Sequence, residues 1–293
     1  MPETIDRDDR QVYVNGAFVP ASEATISVFD RGFLMADAVY EVTAVVGGKL
    51  IDLTGHMNRL HQSLEALEIP DPLSLNAWRE LHKAIVSRNS LAEGLVYVQV
   101  TRGSTGDRDI ARPEADPSPT VVLFSRSIPG FMSPLSMHTG LKIISVPDLR
   151  WGRCDIKSVQ LIYTSMAKLI AKRAGVNDVW YVDNGIVTEG TSHNAGIVVG
   201  REIITHPADA GILPGVTRAA FIRLAREEGY SVNERGFTLE EAYAASEAFA
   251  TAAMSYFLPI VQIDGRPIGN GKPGDTVRKL RKIYVEEALK YAE

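Results

Sequence analysis

Lys157 stands in Arg150-Trp151-Gly152-Arg153-Cys154-Asp155-Ile156-Lys157-Ser158, and a lone acid, Glu189, follows in Val187-Thr188-Glu189-Gly190. A lysine serves as an amine nucleophile near neutral pH only when burial or nearby cations lower its pKa. Both sources are at hand. Arg150 and Arg153 lie just upstream, and the apolar residues Ile156, Val159, Leu161 and Ile162 flank the lysine. Glu189 ends a hydrophobic run and opens a glycine turn. An activated lysine with a distant carboxylate is the minimal kit for pyridoxal phosphate: an amine for a Schiff base and an acid for the pyridinium nitrogen.

Such a cofactor also needs a seat for its phosphate. In Leu213-Pro214-Gly215-Val216-Thr217-Arg218 a glycine turn meets a helix start. Free backbone N–H groups and the helix dipole attract anions there, and Thr217 adds a hydroxyl; an ordinary helix start reads the same way. Arg59 falls opposite the apolar stripe of its helix beside His56. It is either a forked phosphate clamp or a surface arginine paired with something like Glu65. Arg108 lies in the long polar loop Arg102–Pro119 and suits carboxylate recognition, unless it closes a surface turn with Asp107 or Asp109. His193, just past Glu189, reads as a turn histidine with a structural hydrogen bond or as a pocket residue. Cys154 reads as a buried packing thiol, since no Cys/His pairing supports a nucleophile. There is no Walker A or GxGxxG pattern to suggest a nucleotide.

These residues need elements to hold them. Gln11–Pro20 predicts a hairpin turning at Asn15-Gly16, and a second hairpin follows at Ala38–Val46 and Lys49–Leu53 through Gly47-Gly48. Met57, Leu60, Leu64 and Leu67 make the apolar stripe of a helix over Thr54–Leu67, while His56, Arg59 and Ser63 share another face. Ser74 caps a helix burying Leu75, Trp78, Leu81 and Ile85. Strands follow at Gly94–Thr101 and Thr120–Phe124. Beyond the lysine come a helix over Leu161–Ala174 and strands at Asp178–Val182 and Gly196–Val199. A helix over Thr217–Glu228, a capping box at Thr238 and Glu241, and a last helix from Asp275 complete the series. This predicts an N-terminal α/β domain over residues 1–125, a Ser/Pro/Gly/Met-rich linker over 126–140, and a C-terminal α/β domain over 141–293 carrying the lysine.

Composition narrows the class. A formal net charge of −5 gives no nucleic-acid footprint, and no apolar run is long enough to span a membrane. The single cysteine excludes an internal disulfide and suits a reducing compartment, and six scattered histidines show no metal-ligand spacing. The polar stretch Met1–Arg10 is not a signal peptide. The expectation is a cytoplasmic protein with no metal.

An ordered set of segments carries a resemblance. They are Ile26–Phe33, Ala36–Val42, His56-Met57-Asn58-Arg59-Leu60, Gln99–Gly103, the lysine and Val-Thr-Glu-Gly segments, Ile212–Arg218, and Ile263-Asp264-Gly265 through Lys272-Pro273-Gly274. From about residue 11 to 285 the chain resembles the fold-type IV pyridoxal-phosphate enzymes, most closely the D-amino-acid (D-alanine) aminotransferases. The resemblance implies a two-domain α/β fold with α+β character, working as a homodimer with its active site at the subunit interface. It implies that Lys157 holds the cofactor as a Schiff base and moves the proton, and that Glu189 pairs with the ring nitrogen. Arg59, Val216 and Thr217, with backbone N–H groups at Ala252 and Ala253, would hold the phosphate. Arg108 would trap the substrate carboxylate from the neighbouring subunit, with Phe33 and His56 bordering the pocket. Val42 departs from both the branched-chain aminotransferases and the deoxychorismate lyases. Ile110 replaces a histidine common beside the carboxylate-trapping arginine, His193 replaces a small residue, and Thr251-Ala252-Ala253-Met254 replaces a hydroxyl-rich turn. The altered trap leaves room for (R)-selective amine substrates. The expected reaction is transfer of an amino group from a D-amino acid to a 2-oxo acid in two half-reactions.

Overall fold

The computed structural model describes residues 10–113 and 117–293. Most of the N-terminal stretch and part of the 102–119 loop thus lie outside the described residues. Two compact units emerge. The first is residues 1–129 with Ile156–Gln160 and Tyr291–Glu293; the second is Gly130–Asp155 with Leu161–Lys290.

The first unit is built on strands β1 (Gln11–Val14), β2 (Ala17–Pro20), β3 (Ala38–Val46), β4 (Lys49–Leu50), β5 (Glu93–Thr101) and β6 (Thr120–Ser127). They form an antiparallel sheet in the order β2-β1-β6-β5-β3-β4. Asn15 and Gly16 both take positive φ, the geometry a two-residue hairpin turn needs. Helices α1 (Arg31–Met35), α2 (Leu53–Ala66) and α3 (Leu75–Arg88) complete the unit. The Ser74 side chain accepts from Ala77 N as expected, but Leu75, the first helical residue, points outward at 40% exposure. Trp78, Leu81, His82, Ile85 and Val86 carry the buried face instead.

Lys157 belongs to this unit, not to the C-terminal one. The 156–160 segment is fastened to β3: Tyr40 N donates to Lys157 O at 3.0 Å and Val159 N to Ala38 O at 3.2 Å. Backbone hydrogen bonds across so many residues fix the segment where sequence distance would not place it. The expected linker also dissolves. β6 runs through Ser127, and residues 130–140 belong to the second unit, including the short helix α4 (Leu135–Thr139).

The second unit holds β7 (Leu141–Pro147), α5 (Ile162–Arg173), β8 (Asp178–Asp183), β9 (Ile186–Gly190), β10 (Asn194–Val199) and β11 (Glu202–Thr205). Then come α6 (Val216–Glu227), β12 (Ser231–Glu234), β13 (Phe237–Thr238) and α7 (Leu239–Ala244). β14 (Glu247–Ala252), β15 (Tyr256–Ile263), β16 (Arg266–Pro267) and α8 (Asp275–Lys290) complete it. Its mixed sheet runs β12-β11-β10-β14-β15-β7-β8-β9-β13, with β16 on β15. One further pair, Asn194 with Glu189, joins β10 back to β9, so the strand path returns on itself. Trp180, Ile197, Phe237, Ile260 and Ile263 fill the core with almost no exposed surface. Each such side chain contributes roughly 1.5–3 kcal/mol on burial. The capping box at Thr238 and Glu241 is present. No helix among the described residues is long and apolar enough to cross a membrane.

Candidate active site

In the first unit the chemistry gathers around β3 and one face of α2. Glu41 is fully buried on β3. Arg59 Nε donates to its Oε1 at 2.7 Å and Arg59 Nη2 to its Oε2 at 2.9 Å, while His56 Nδ1 lies 2.9 Å from Oε2. Burial alone would push the Glu41 carboxyl upward; the Arg59 charge, with hydrogen bonds from His56 and Arg59, outweighs it and holds the group far below the ordinary carboxylate range. So the helix face expected to look outward is buried. Arg59 is 7% exposed and pairs with Glu41 rather than Glu65, and His56 is 2% exposed. Its sequestered ring steadies Glu41.

Lys157 N donates to Ser63 Oγ at 3.2 Å, from the same α2 face. The lysine amine reaches Tyr40 Oη at 3.4 Å and sits 4.4 Å above that ring's centroid. Nothing in the sequence marks Tyr40 as a lysine partner, although it neighbours Glu41 on β3. The alternation of the strand explains the pair: Glu41 points into the core and Tyr40 to the other, half-open face. Tyr97 stacks on Tyr40 at 5.5 Å, and Phe124 on Tyr97 at 4.7 Å. Phe33 is 67% exposed, and Arg108 is exposed with its backbone N donating to Asp107 Oδ1 at 2.7 Å.

In the second unit Glu189 is buried in β9. Asn194 Nδ2 donates to its Oε2 at 2.9 Å, Leu213 N lies 3.3 Å from both oxygens, and Arg150 Nη1 donates to Oε1. Arg150 also pairs with Asp148, and Arg153 with Asp155 at 2.8 Å. Both arginines upstream of the lysine are therefore engaged by acids. Leu161 and Ile162, expected to help bury the lysine, are exposed.

Glu189, Asn194 and Thr251 form one row across β9, β10 and β14, since Asn194 pairs with Glu189 on one side and Thr251 on the other. Directly opposed residues share a face. α6 begins at this row. Its N-cap, Gly215, offers no side-chain cap to the first N–H groups, and a Cβ there would overlap Asn194 Oδ1. Val216 and the buried Thr217 open the helix. Thr251 Oγ1 is buried with no hydrogen-bond partner among the described residues. Ala252 ends β14 opposite Tyr256, and Ala253 starts the turn that follows. A helix N-terminus with uncapped donors beside a buried hydroxyl has the chemistry to seat an anion.

His193 is buried against Gly190, its Nδ1 3.5 Å from Asp178 Oδ2. Thr191 Oγ1 donates to Asp178 Oδ1 at 2.7 Å, which pins the turn behind Glu189. Cys154 Sγ donates to Trp151 O at 3.2 Å, and burial pushes its thiol up to about 11, the profile of a packing thiol.

Residues 38–263 match the amino-transferase class IV family. Among curated proteins the chain is 33% identical to the D-alanine aminotransferase of Bacillus licheniformis over 279 residues, covering 95% of this chain and 97% of that one. It is 34% identical to the D-alanine aminotransferase of Listeria monocytogenes over 278 residues, covering 94% and 96%. Among solved structures, the branched-chain amino acid aminotransferase of T.th. with pyridoxamine 5'-phosphate superposes with a TM-score of 0.87 at 24% identity, covering 97% of this chain and 98% of that one. The Escherichia coli branched-chain enzyme gives 0.87 at 21%, covering 97% and 96%.

Proposed function

The chain belongs to the class IV aminotransferases, pyridoxal-phosphate-dependent enzymes of fold type IV, and we propose that it moves an amino group from a D-amino acid such as D-alanine to a 2-oxo acid such as 2-oxoglutarate or pyruvate. The likeness to D-alanine aminotransferases along nearly the whole chain supports this choice of donor. The branched-chain enzymes share the fold at lower identity.

One observation carries the reading: the Lys157 amine is held against the Tyr40 hydroxyl and ring by a segment that backbone hydrogen bonds fasten to β3. A surface lysine has no such anchorage. The donor set fits the cofactor. The amine suits its aldehyde carbon, the buried Glu189 its ring nitrogen, and the fixed Arg59 guanidinium its phosphate. The α6 N-terminus at Val216 and Thr217, with backbone N–H groups at Ala252 and Ala253, suits the phosphate as well. Bound pyridoxal phosphate supplies the carbonyl that takes the amino group and the ring that spreads the resulting charge. Lys157 Nζ is the base that moves the proton at the substrate Cα, and Tyr40 Oη orients it. Asn194, Leu213 N and Arg150 hold Glu189 so that its charge meets a ring proton in fixed geometry. Arg108 takes the substrate carboxylate, and Phe33 borders the bound side chain.

We infer a homodimer whose partner supplies Arg108. Supporting it, Ile26, Val28, Phe29 and Phe33 expose a run of large apolar side chains on the first unit. A cytoplasmic setting fits the single reduced cysteine. A second reading, an (R)-selective amine transaminase, is favoured by Ile110, an exposed apolar residue where the family often has a histidine beside the trapping arginine.

A half-reaction screen decides. The purified yellow holoenzyme is mixed with D-alanine, L-alanine or (R)-1-phenylethylamine, and its visible absorbance is followed. The expected result is bleaching by D-alanine with release of pyruvate, and no response from Lys157→Ala. Bleaching by the amine and not by D-alanine would select the second reading. A protein that takes up no cofactor would overturn both.

A further inference from the structure

Arg281 is a buried cation that the proposed reaction leaves unused. It lies on the inner face of α8 beside Leu280 and Tyr284 and is 5% exposed. No carboxylate among the described residues pairs with it. Its hydrogen bonds all go to backbone carbonyls: Nη1 donates to Ser255 O and to Phe257 O at 3.2 Å, and Nη2 to Met132 O at 2.8 Å. Its guanidinium lies 5.3 Å from the centre of the Tyr256 ring.

Burying a charge without a counter-charge is costly, and an apolar side chain of similar volume would pack a core at less expense. The question is what the position gains. The three carbonyls give one answer, since two of them flank Tyr256. That residue holds a left-handed backbone, φ 56°, at the return of the β14–β15 hairpin, a conformation non-glycine residues seldom adopt. The Tyr256 ring packs edge-on against Tyr284 at 5.0 Å, one helical turn beyond Arg281. α8 thus grips the hairpin return through both a ring and a cation.

The same hairpin holds the second oddity. Thr251 Oγ1, near the end of β14, is buried with no hydrogen-bond partner among the described residues. The turn beyond it is Ala253-Met254-Ser255, with Ser255 as its one hydroxyl residue. An unsatisfied donor on one side of the hairpin and an uncompensated cation on the other both call for an anion. We propose that Arg281 is a positioning residue for the cofactor phosphate: it locks the Ala252–Tyr256 return through the carbonyls of Ser255 and Phe257 and supplies fixed positive charge behind it. This rests on the reading of the α6 N-terminus and this hairpin as the phosphate seat.

The test compares pyridoxal phosphate with unphosphorylated pyridoxal, binding each to resolved apoenzyme and following fluorescence quenching. In Arg281→Gln, which keeps a hydrogen-bond donor but drops the charge, the dissociation constant for pyridoxal phosphate rises about tenfold or more, the scale of one charge acting on another inside a protein. That for pyridoxal stays within about twofold, because it carries no phosphate to feel the lost charge. Arg281→Lys keeps the charge and stays within about threefold of wild type for both. Equal weakening of both ligands, no weakening of either, or a lysine variant as weak as the glutamine one would overturn the proposal. Thr217→Val is the control for the underlying reading. If it leaves the ratio of the two constants unchanged, the phosphate seat itself is wrong; if it shifts the ratio while Arg281→Gln does not, only the role of Arg281 fails.

Discussion

Replacing Glu41 by glutamine is the sharpest test of how the first unit holds Arg59 in its core. Glu41 is fully buried and receives two forked hydrogen bonds from an arginine that is itself buried. Glutamine keeps the shape but removes the charge, so Arg59 stays in the core and loses the carboxylate it is forked to. Breaking a buried pair from one side costs about 3–5 kcal/mol, most of it the stranded charge. For a transition involving a unit of this size that is a fall of roughly 6–20 °C in Tm. Differential scanning calorimetry of the apoprotein reads it directly. Removing the arginine as well, in Glu41→Gln/Arg59→Met, relieves the stranded charge and recovers part of the loss, a coupling of about 1–3 kcal/mol. Acid titration adds a sign. The ordinary value of the carboxyl is 4.5, and the folded protein holds it far lower. Its stabilising contribution is therefore complete above about pH 4.5 and fades as pH falls from there toward the depressed value. Wild type loses stability over that range, and Glu41→Gln loses correspondingly less. A variant destabilised by under about 1 kcal/mol, or a double variant whose cost is the plain sum of the singles, would refute the account.

Three further outcomes follow from the same geometry. Tyr40→Phe, which removes the hydroxyl 3.4 Å from Lys157 Nζ, should lower kcat about tenfold with a small change in cofactor affinity, measured by stopped-flow half-reaction and cofactor titration. Gly215→Ala puts a Cβ into Asn194 Oδ1 and should loosen the hold on Glu189, costing about 1–3 kcal/mol in holoenzyme stability with a weaker apoenzyme–cofactor complex. Half-buried Cys154 should react slowly with Ellman's reagent at pH 7–8 and faster as pH approaches 11; rapid labelling of the native protein at neutral pH would contradict its raised pKa.

The elements near the ends of the chain are legible because their signals are local. The Asn15-Gly16 turn, the Ser74 cap and the Thr238/Glu241 box each lie within a few residues, and each is found where the sequence places it. β9, β11, β12, β14 and β15 do not separate as strands in the sequence. Buried on both faces, strands such as β9 and β15 show nearly unbroken burial rather than alternation, so period carries no signal. The lysine segment reads as part of the wrong unit for a related reason. Only its hydrogen bonds to Ala38 and Tyr40, distant in sequence, give it its place.

The groups proposed to bind and react are easier to read than the groups that hold them. Lys157, Glu189 and Arg59 stand out by type and by the motifs around them, whereas Glu41, Asn194, Arg150 and Arg281 matter through partners far away along the chain. A polar residue on the supposedly outer face of a helix, such as His56 or Arg59, carries no mark of burial when its neutralising acid lies on a strand read separately. Periodicity assumes that charge faces water; it fails wherever a counter-charge makes burial tolerable. Sites that must fix a charge in place break that assumption most often, because a guanidinium free to rehydrate cannot be preorganised for an anion. The buried Glu41–Arg59 pair, which periodicity places at the surface, is thus the observation about α2 that most favours a binding role over a merely structural one.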